Sequence, residues 1–138
     1  MRALLLSLAG LLGADARPGV ERIAAQVQAL ELEPVRVGQR GELSLILLEA
    51  PDRALPLEVR LAADPREQAE TLEFDENRLD WSAVVDPLAR QPRVRASFRA
   101  PSVAGSYEVR ARVHYSVCDE QWCRAKRGEL RWTIVVVD

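Results

Sequence analysis

Apolar and polar residues alternate along most of this chain, the period-two pattern of half-buried β-strands. The longest run is Tyr107, Val109, Ala111, Val113, Tyr115 and Val117, all inward positions following Gly105. Leu130, Trp132, Ile134 and Val136 repeat the pattern near the end, and Val94, Ala96 and Phe98 form a shorter strand closed by Ala100-Pro101. Leu55, Leu57, Val59 and Leu61 alternate as well, with Pro56 marking a sheet edge. Leu79, Trp81, Ala83 and Val85 predict a further strand, ended by Asp86-Pro87. The apolar run Leu43 to Leu48 predicts a strand buried on both faces or one that switches sheets.

Residues 23 to 33 suit either a helix (Val20, Ile23, Ala24, Val27) or a strand (Val27, Ala29). A strand from about Ala25 is favoured, because Pro34 and Val37-Gly38-Gln39-Arg40-Gly41 read as a turn into the next one. Residues 64 to 80 carry seven acids against Arg66 and Arg78, a solvated connection with a short strand at Leu72 to Phe74. Seven to eight short strands without a convincing helix predict an all-β fold, an antiparallel immunoglobulin-like β-sandwich. The Gly105-Ser106-Tyr107 start of the long strand fits the corner tyrosine of such sandwiches.

The only two cysteines, Cys118 and Cys123, fall at the tip of the final hairpin. If they face each other, Ala111 faces Leu130, Val109 faces Trp132 and Tyr107 faces Ile134, so inward residues meet inward residues throughout. A one-residue slip would set apolar against polar faces, so the parity supports the pairing without reference to the cysteines. Asp119-Glu120-Gln121-Trp122 is then a four-residue loop, a common hairpin length. The same parity puts both cysteines on the outward face, with Ser116 and His114. A staple closing so short a loop adds only about 2 kcal/mol in the chain-entropy view, which leans toward a bond open to exchange.

The 138 residues suffice for one domain, and a composition 48% hydrophobic and 29% charged is that of a globular protein. Net charge is −2, which gives no electrostatic case for nucleic acid or an anionic membrane surface. Residues 1–16 read as a secretory signal: Arg2, an apolar stretch from Ala3 to Leu12, then Ala14-Asp15-Ala16. The competing reading is an N-terminal helix of a cytosolic protein. The apolar stretch is too short to span a bilayer, so no membrane insertion of the mature chain is expected. Residues 17–138 form the expected single domain, periplasmic or otherwise exported, where an oxidising compartment favours a disulfide.

Of the candidate chemistries, only the cysteine pair holds up. Arg124, Lys126 and Arg127 follow Cys123 and could stabilise its thiolate, while Asp119 and Glu120 act oppositely on Cys118. Trp122, on the loop, is either a lid over the disulfide or a contact for a partner. His114 lies four strand residues from Cys118, about 13 Å away, too far for a hydrogen bond. Cys118, Cys123 and His114 lack a fourth ligand and a zinc spacing. One histidine without supporting motif makes no triad. Copper handling is disfavoured because Met1 is the only methionine.

The long strand Tyr107 to Val117, its Tyr-x-x-Cys ending and the second cysteine before a closing strand resemble the N-terminal periplasmic domain of the thiol:disulfide interchange protein DsbD family. Leu32-Glu33-Pro34-Val35-Arg36-Val37-Gly38 is similar to its opening strand-turn. The resemblance implies Cys118 and Cys123 as a redox pair, with Asp119 beside the first. It implies electron relay to thioredoxin-fold periplasmic proteins without a cofactor, with a separate membrane protein as electron donor. This chain departs from the family's pattern in having one residue fewer between the cysteines and Arg124-Ala125 where the family has a proline. Phe74 and Trp81 match the family's aromatic cap loop by position only. The alternative is a non-catalytic β-sandwich module whose disulfide pins the hairpin while Trp122 and neighbouring loops bind a partner.

Overall fold

A computed structural model describes residues 24–64 and 70–138; the expected signal segment, 1–16, and the start of the expected domain at residue 17 lie outside the described residues. The strands are β1 (Val27–Ala29), β2 (Val35–Arg36), β3 (Arg40–Leu47), β4 (Glu58–Ala63), β5 (Glu73–Phe74), β6 (Arg78–Leu79), β7 (Arg93–Arg99), β8 (Gly105–Cys118) and β9 (Cys123–Val137). They form two sheets, ordered β1-β3-β7-β5 and β2-β9-β8-β4-β6. This is the immunoglobulin-like sandwich that the alternation predicts. All strand pairings are antiparallel except β2 with β9.

Burial follows the period-two pattern. Tyr107, Val109, Ala111, Val113 and Tyr115 of β8 and Trp132, Ile134 and Val136 of β9 pack against Leu43, Leu45 and Leu47 of β3 and Val94, Ala96 and Phe98 of β7. Each such Val, Leu or Ile contributes roughly 1.5–3 kcal/mol by leaving water. Two glycines are required by their surroundings. Gly38 turns the chain at φ +70, and a Cβ on Gly41 would lie 2.6 Å from the ring of Phe98, its cross-strand partner. The Tyr107 hydroxyl donates to the Val103 carbonyl, closing the tyrosine corner that the Gly-x-Tyr start predicts.

Two expectations need correction. Residues 79–85 do not form one strand, since β6 stops at Leu79 and Trp81–Ala83 make a 3-10 turn. Asp80 caps it, accepting from the Ser82 amide at 2.9 Å, and the Trp81 indole donates to the Leu55 carbonyl at 2.8 Å. These local partners outcompete the ladder, and Val85 is left exposed. The run Leu43 to Leu48 is buried on one face only, with Leu43, Leu45 and Leu47 in the core and Ser44 and Ile46 half-buried. The sheet switch falls between β1 and β2 instead, and this segment brackets β9. The Ala25 amide donates to the Arg127 carbonyl at 2.7 Å, and the Val37 amide to that of Val137 at 2.8 Å.

Among the described residues no helix is long and apolar enough to cross a membrane.

Candidate functional site

β8 and β9 pair over their whole length in the register that apolar parity requires, from Gly105 opposite Val136 to Cys118 opposite Cys123. At the tip the Asp119 amide donates to the Trp122 carbonyl at 2.8 Å. The next pair outward along the ladder, Cys118 and Cys123, is therefore a non-hydrogen-bonded pair, the site where facing Cα atoms come closest. Their separation is 4.0 Å and the two are joined as a disulfide.

Asp119 builds the turn. Its Oδ1 accepts from the amides of Gln121 and Trp122, both at 2.8 Å. These two bonds, with a smaller contribution from Arg124, hold its carboxyl below the ordinary range. The residue that the family resemblance sets beside the redox pair is thus committed to shaping the loop. Trp122 stands out from the tip with 61% of its surface in solvent, so the indole is presented rather than folded away.

The disulfide lies on the outward face, as parity requires. Cys123 is exposed and Cys118 half-buried, on the side shared with His114 and Ser116. That alternation carries a correction for the cations. Lys126 is three positions from Cys123 and points to the opposite side of the ribbon, where its ammonium lies 3.4 Å from Glu49. Both side chains are largely covered, at 13% and 19% exposure. Arg124 shares that parity, and only Arg127 stands on the cysteine side, opposite His114.

Sequence reasoning missed the cluster beneath the tip. Tyr115, opposite Lys126 in the ladder, is 1% exposed. Its hydroxyl donates to Glu49 Oε2 and accepts from the Gln26 amide at 3.0 Å. Desolvation, and then the bond to Glu49, push the phenol far above its usual range. A buried tyrosine at the end of the core strand signals that its hydroxyl has a partner. Nothing in the local pattern names Glu49, which arrives from the β3–β4 loop. That loop is tied on further through the Asp52 amide, which donates to the Ser116 carbonyl at 2.8 Å. The loop preceding β7 opens at the same end of the sandwich and exposes Leu88 and Val85.

No protein-family model and no curated protein matches this chain. Among solved structures it is similar to native α2-macroglobulin from Escherichia coli, in a structure spanning domain MG7 to the C-terminus. Identity is 21% and the TM-score 0.52, over 83% of this chain and 17% of that one. It is also similar to AggA, the major subunit of aggregative adherence fimbriae type I from Escherichia coli (9% identity, TM-score 0.43, 82% of this chain and 94% of that one). A further match is the CFA/I adhesin CfaE of enterotoxigenic E. coli (12%, TM-score 0.40, 85% and 49%). The first likeness is one of fold alone, and this chain spans only 17% of that chain's length. The other two are too distant to argue from.

Proposed function

We propose that this chain is an exported recognition module that binds a partner protein through its disulfide-pinned hairpin tip, with Trp122 as the anchor. The observation that carries the reading is an exposed indole on a turn fixed from three sides. The Cys118–Cys123 bond lies behind it, the Asp119 carboxylate within it and the Tyr115–Glu49–Lys126 cluster below. A rigid tip loses little conformational freedom on binding, and tryptophan is the side chain most enriched among residues that dominate interface energies. Export is supported by the signal-like residues 1–16 and by the disulfide, which persists in oxidising compartments.

One observation favours a second reading, thiol–disulfide exchange with thioredoxin-fold partners: Cys123 is exposed on the outer face. A partner thiolate would attack the Cys123 sulfur, the S–S bond would break and Cys118 would leave as thiolate. The partner's second cysteine would then release the mixed disulfide, so that two electrons pass to this chain. Against this reading, Lys126 is spent on Glu49 on the far side of the ribbon, and the Asp119 carboxylate on the turn. Equilibration in thiol/disulfide buffers, followed by alkylation and mass analysis, separates the readings. The recognition module expects a reduction potential below about −300 mV, and a value of about −230 to −180 mV would replace it with the relay.

A further inference from the structure

The outward face of the five-stranded sheet lies outside the hairpin-tip reading, and its charges are arranged unfavourably for stability. The ladder places Arg60 of β4 directly opposite Arg78 of β6 on one side and Arg112 of β8 on the other. Two residues along, Arg110 of β8 faces Arg131 of β9. Like charges directly opposed across a sheet are destabilising.

Acids on the same face answer part of this charge. Glu58 holds Arg60 at 3.2 Å and Arg78 at 2.6 Å, Asp64 holds Arg110 at 3.1 Å, and Glu129 lies 3.8 Å from Arg112. Arg131 makes no ion pair among the described residues. Arg112 is 81% exposed in its side chain, so its guanidinium is open to a ligand. Where β4 presents Ala62 opposite Arg110, the short side chain leaves a depression of about 400 Å³, walled by Arg60, Arg110 and Arg112 together with the acids Asp64 and Glu129, so that cations outnumber carboxylates in the wall by one.

We infer that this arginine-walled depression binds an extended acidic peptide segment of a partner protein, through carboxylates borne on every second residue. The spacing argues for that ligand. Outward side chains along one strand repeat at about 6.8 Å, and an extended peptide presents alternate side chains at the same interval. Carboxylates so spaced meet Arg110 and Arg112 in turn, and a guanidinium can take a carboxylate through two parallel N–H···O bonds. A single-stranded nucleic acid has a similar charge spacing, but it needs aromatic faces on which to stack its bases. None stands among the outward positions of β4, β8 and β9, apart from the imidazole of His114. The proposal goes beyond the hairpin-tip reading and stands whether or not Trp122 contacts anything.

The test is fluorescence anisotropy at low salt with a labelled peptide of about ten residues alternating Glu and Thr, long enough to span the face. The wild-type chain is expected to bind it, with affinity falling about tenfold or more at high salt. Arg112→Gln and Arg131→Gln are each expected to weaken binding about two- to fivefold, the range of an exposed ion pair. Melting temperature should hold or rise in Arg131→Gln, because one of two opposed cations is gone. Wild-type affinity in both variants, equal binding of a Lys–Thr peptide, or a thymine oligonucleotide bound as tightly as the acidic peptide would each overturn the assignment.

Discussion

Tyr115→Phe isolates the cluster beneath the hairpin tip, because it removes one oxygen and leaves the buried ring in place. That oxygen donates to the Glu49 carboxylate and accepts from the Gln26 amide. A bond to a charged group contributes about 1.5–3 kcal/mol and a neutral one about 0.5–1.5. Glu49 keeps Lys126, and Gln26 is reachable by water, so the loss belongs near the low end of the sum, about 2 kcal/mol. In a domain of this size that lowers the melting temperature by roughly 5–10 °C.

The same phenol sets an alkaline signature. Its folded pKa is raised, so its contribution is complete below the ordinary phenol value of about 10 and is lost as pH climbs through the folded value. Above pH ~10 the unfolded chain releases this proton while the folded chain retains it. Stability then falls by about 1.4 kcal/mol per pH unit in the wild type relative to Tyr115→Phe. Urea unfolding followed by circular dichroism at neutral and alkaline pH measures both effects. A loss under about 0.5 kcal/mol at neutral pH, or parallel alkaline profiles for the two proteins, would refute the cluster's role.

The remaining expectations concern the turn, the disulfide and one close approach. Replacing both cysteines, Cys118→Ala with Cys123→Ala, costs about 2 kcal/mol while far-ultraviolet dichroism is unchanged, because the closed loop is short and the register is held elsewhere; thermal melts under matched conditions check it. Asp119→Ala speeds hydrogen exchange at the Gln121 and Trp122 amides. In the wild type that protection is present above the ordinary carboxylate pKa and is lost as pH falls through the lowered folded value, as exchange measured across acidic pH would record. Gly41→Ala drives a methyl into the Phe98 ring and costs about 1–3 kcal/mol, read from denaturant midpoints.

The sandwich was legible in the sequence wherever burial on one face alone decides the pattern. Tyr107, Val109 and Ala111 against Ile134, Trp132 and Leu130 dictate a register that a one-residue slip cannot satisfy, and the outward cysteines follow from it. Legibility failed where local hydrogen bonds override alternation. Leu79, Trp81, Ala83 and Val85 carry a strand's spacing, yet the Asp80 cap bends them into a turn. It failed again for contacts that depend on distant segments meeting. Lys126 reads as a neighbour of Cys123 along the chain, but strand parity turns it to the other face, where a glutamate 77 positions away receives it. The charges on the outer sheet were likewise visible as residues only. That arginine stands opposite arginine is a fact of register between β4, β6, β8 and β9.

The length of the β8–β9 ladder has a consequence for the order of events when the chain first folds. Its tip joins residues five apart, whereas β3 with β7 and β4 with β8 must close loops of dozens of residues before they gain a contact. Closing a loop of a few residues is among the fastest steps available to a chain, and pairings distant in sequence are slow. The hairpin can therefore zip from its tip while the rest remains unstructured, and its two thiols meet early. The bond that ends as a pin behind Trp122 would begin as a template, a ready edge on which β4 docks to complete the sandwich.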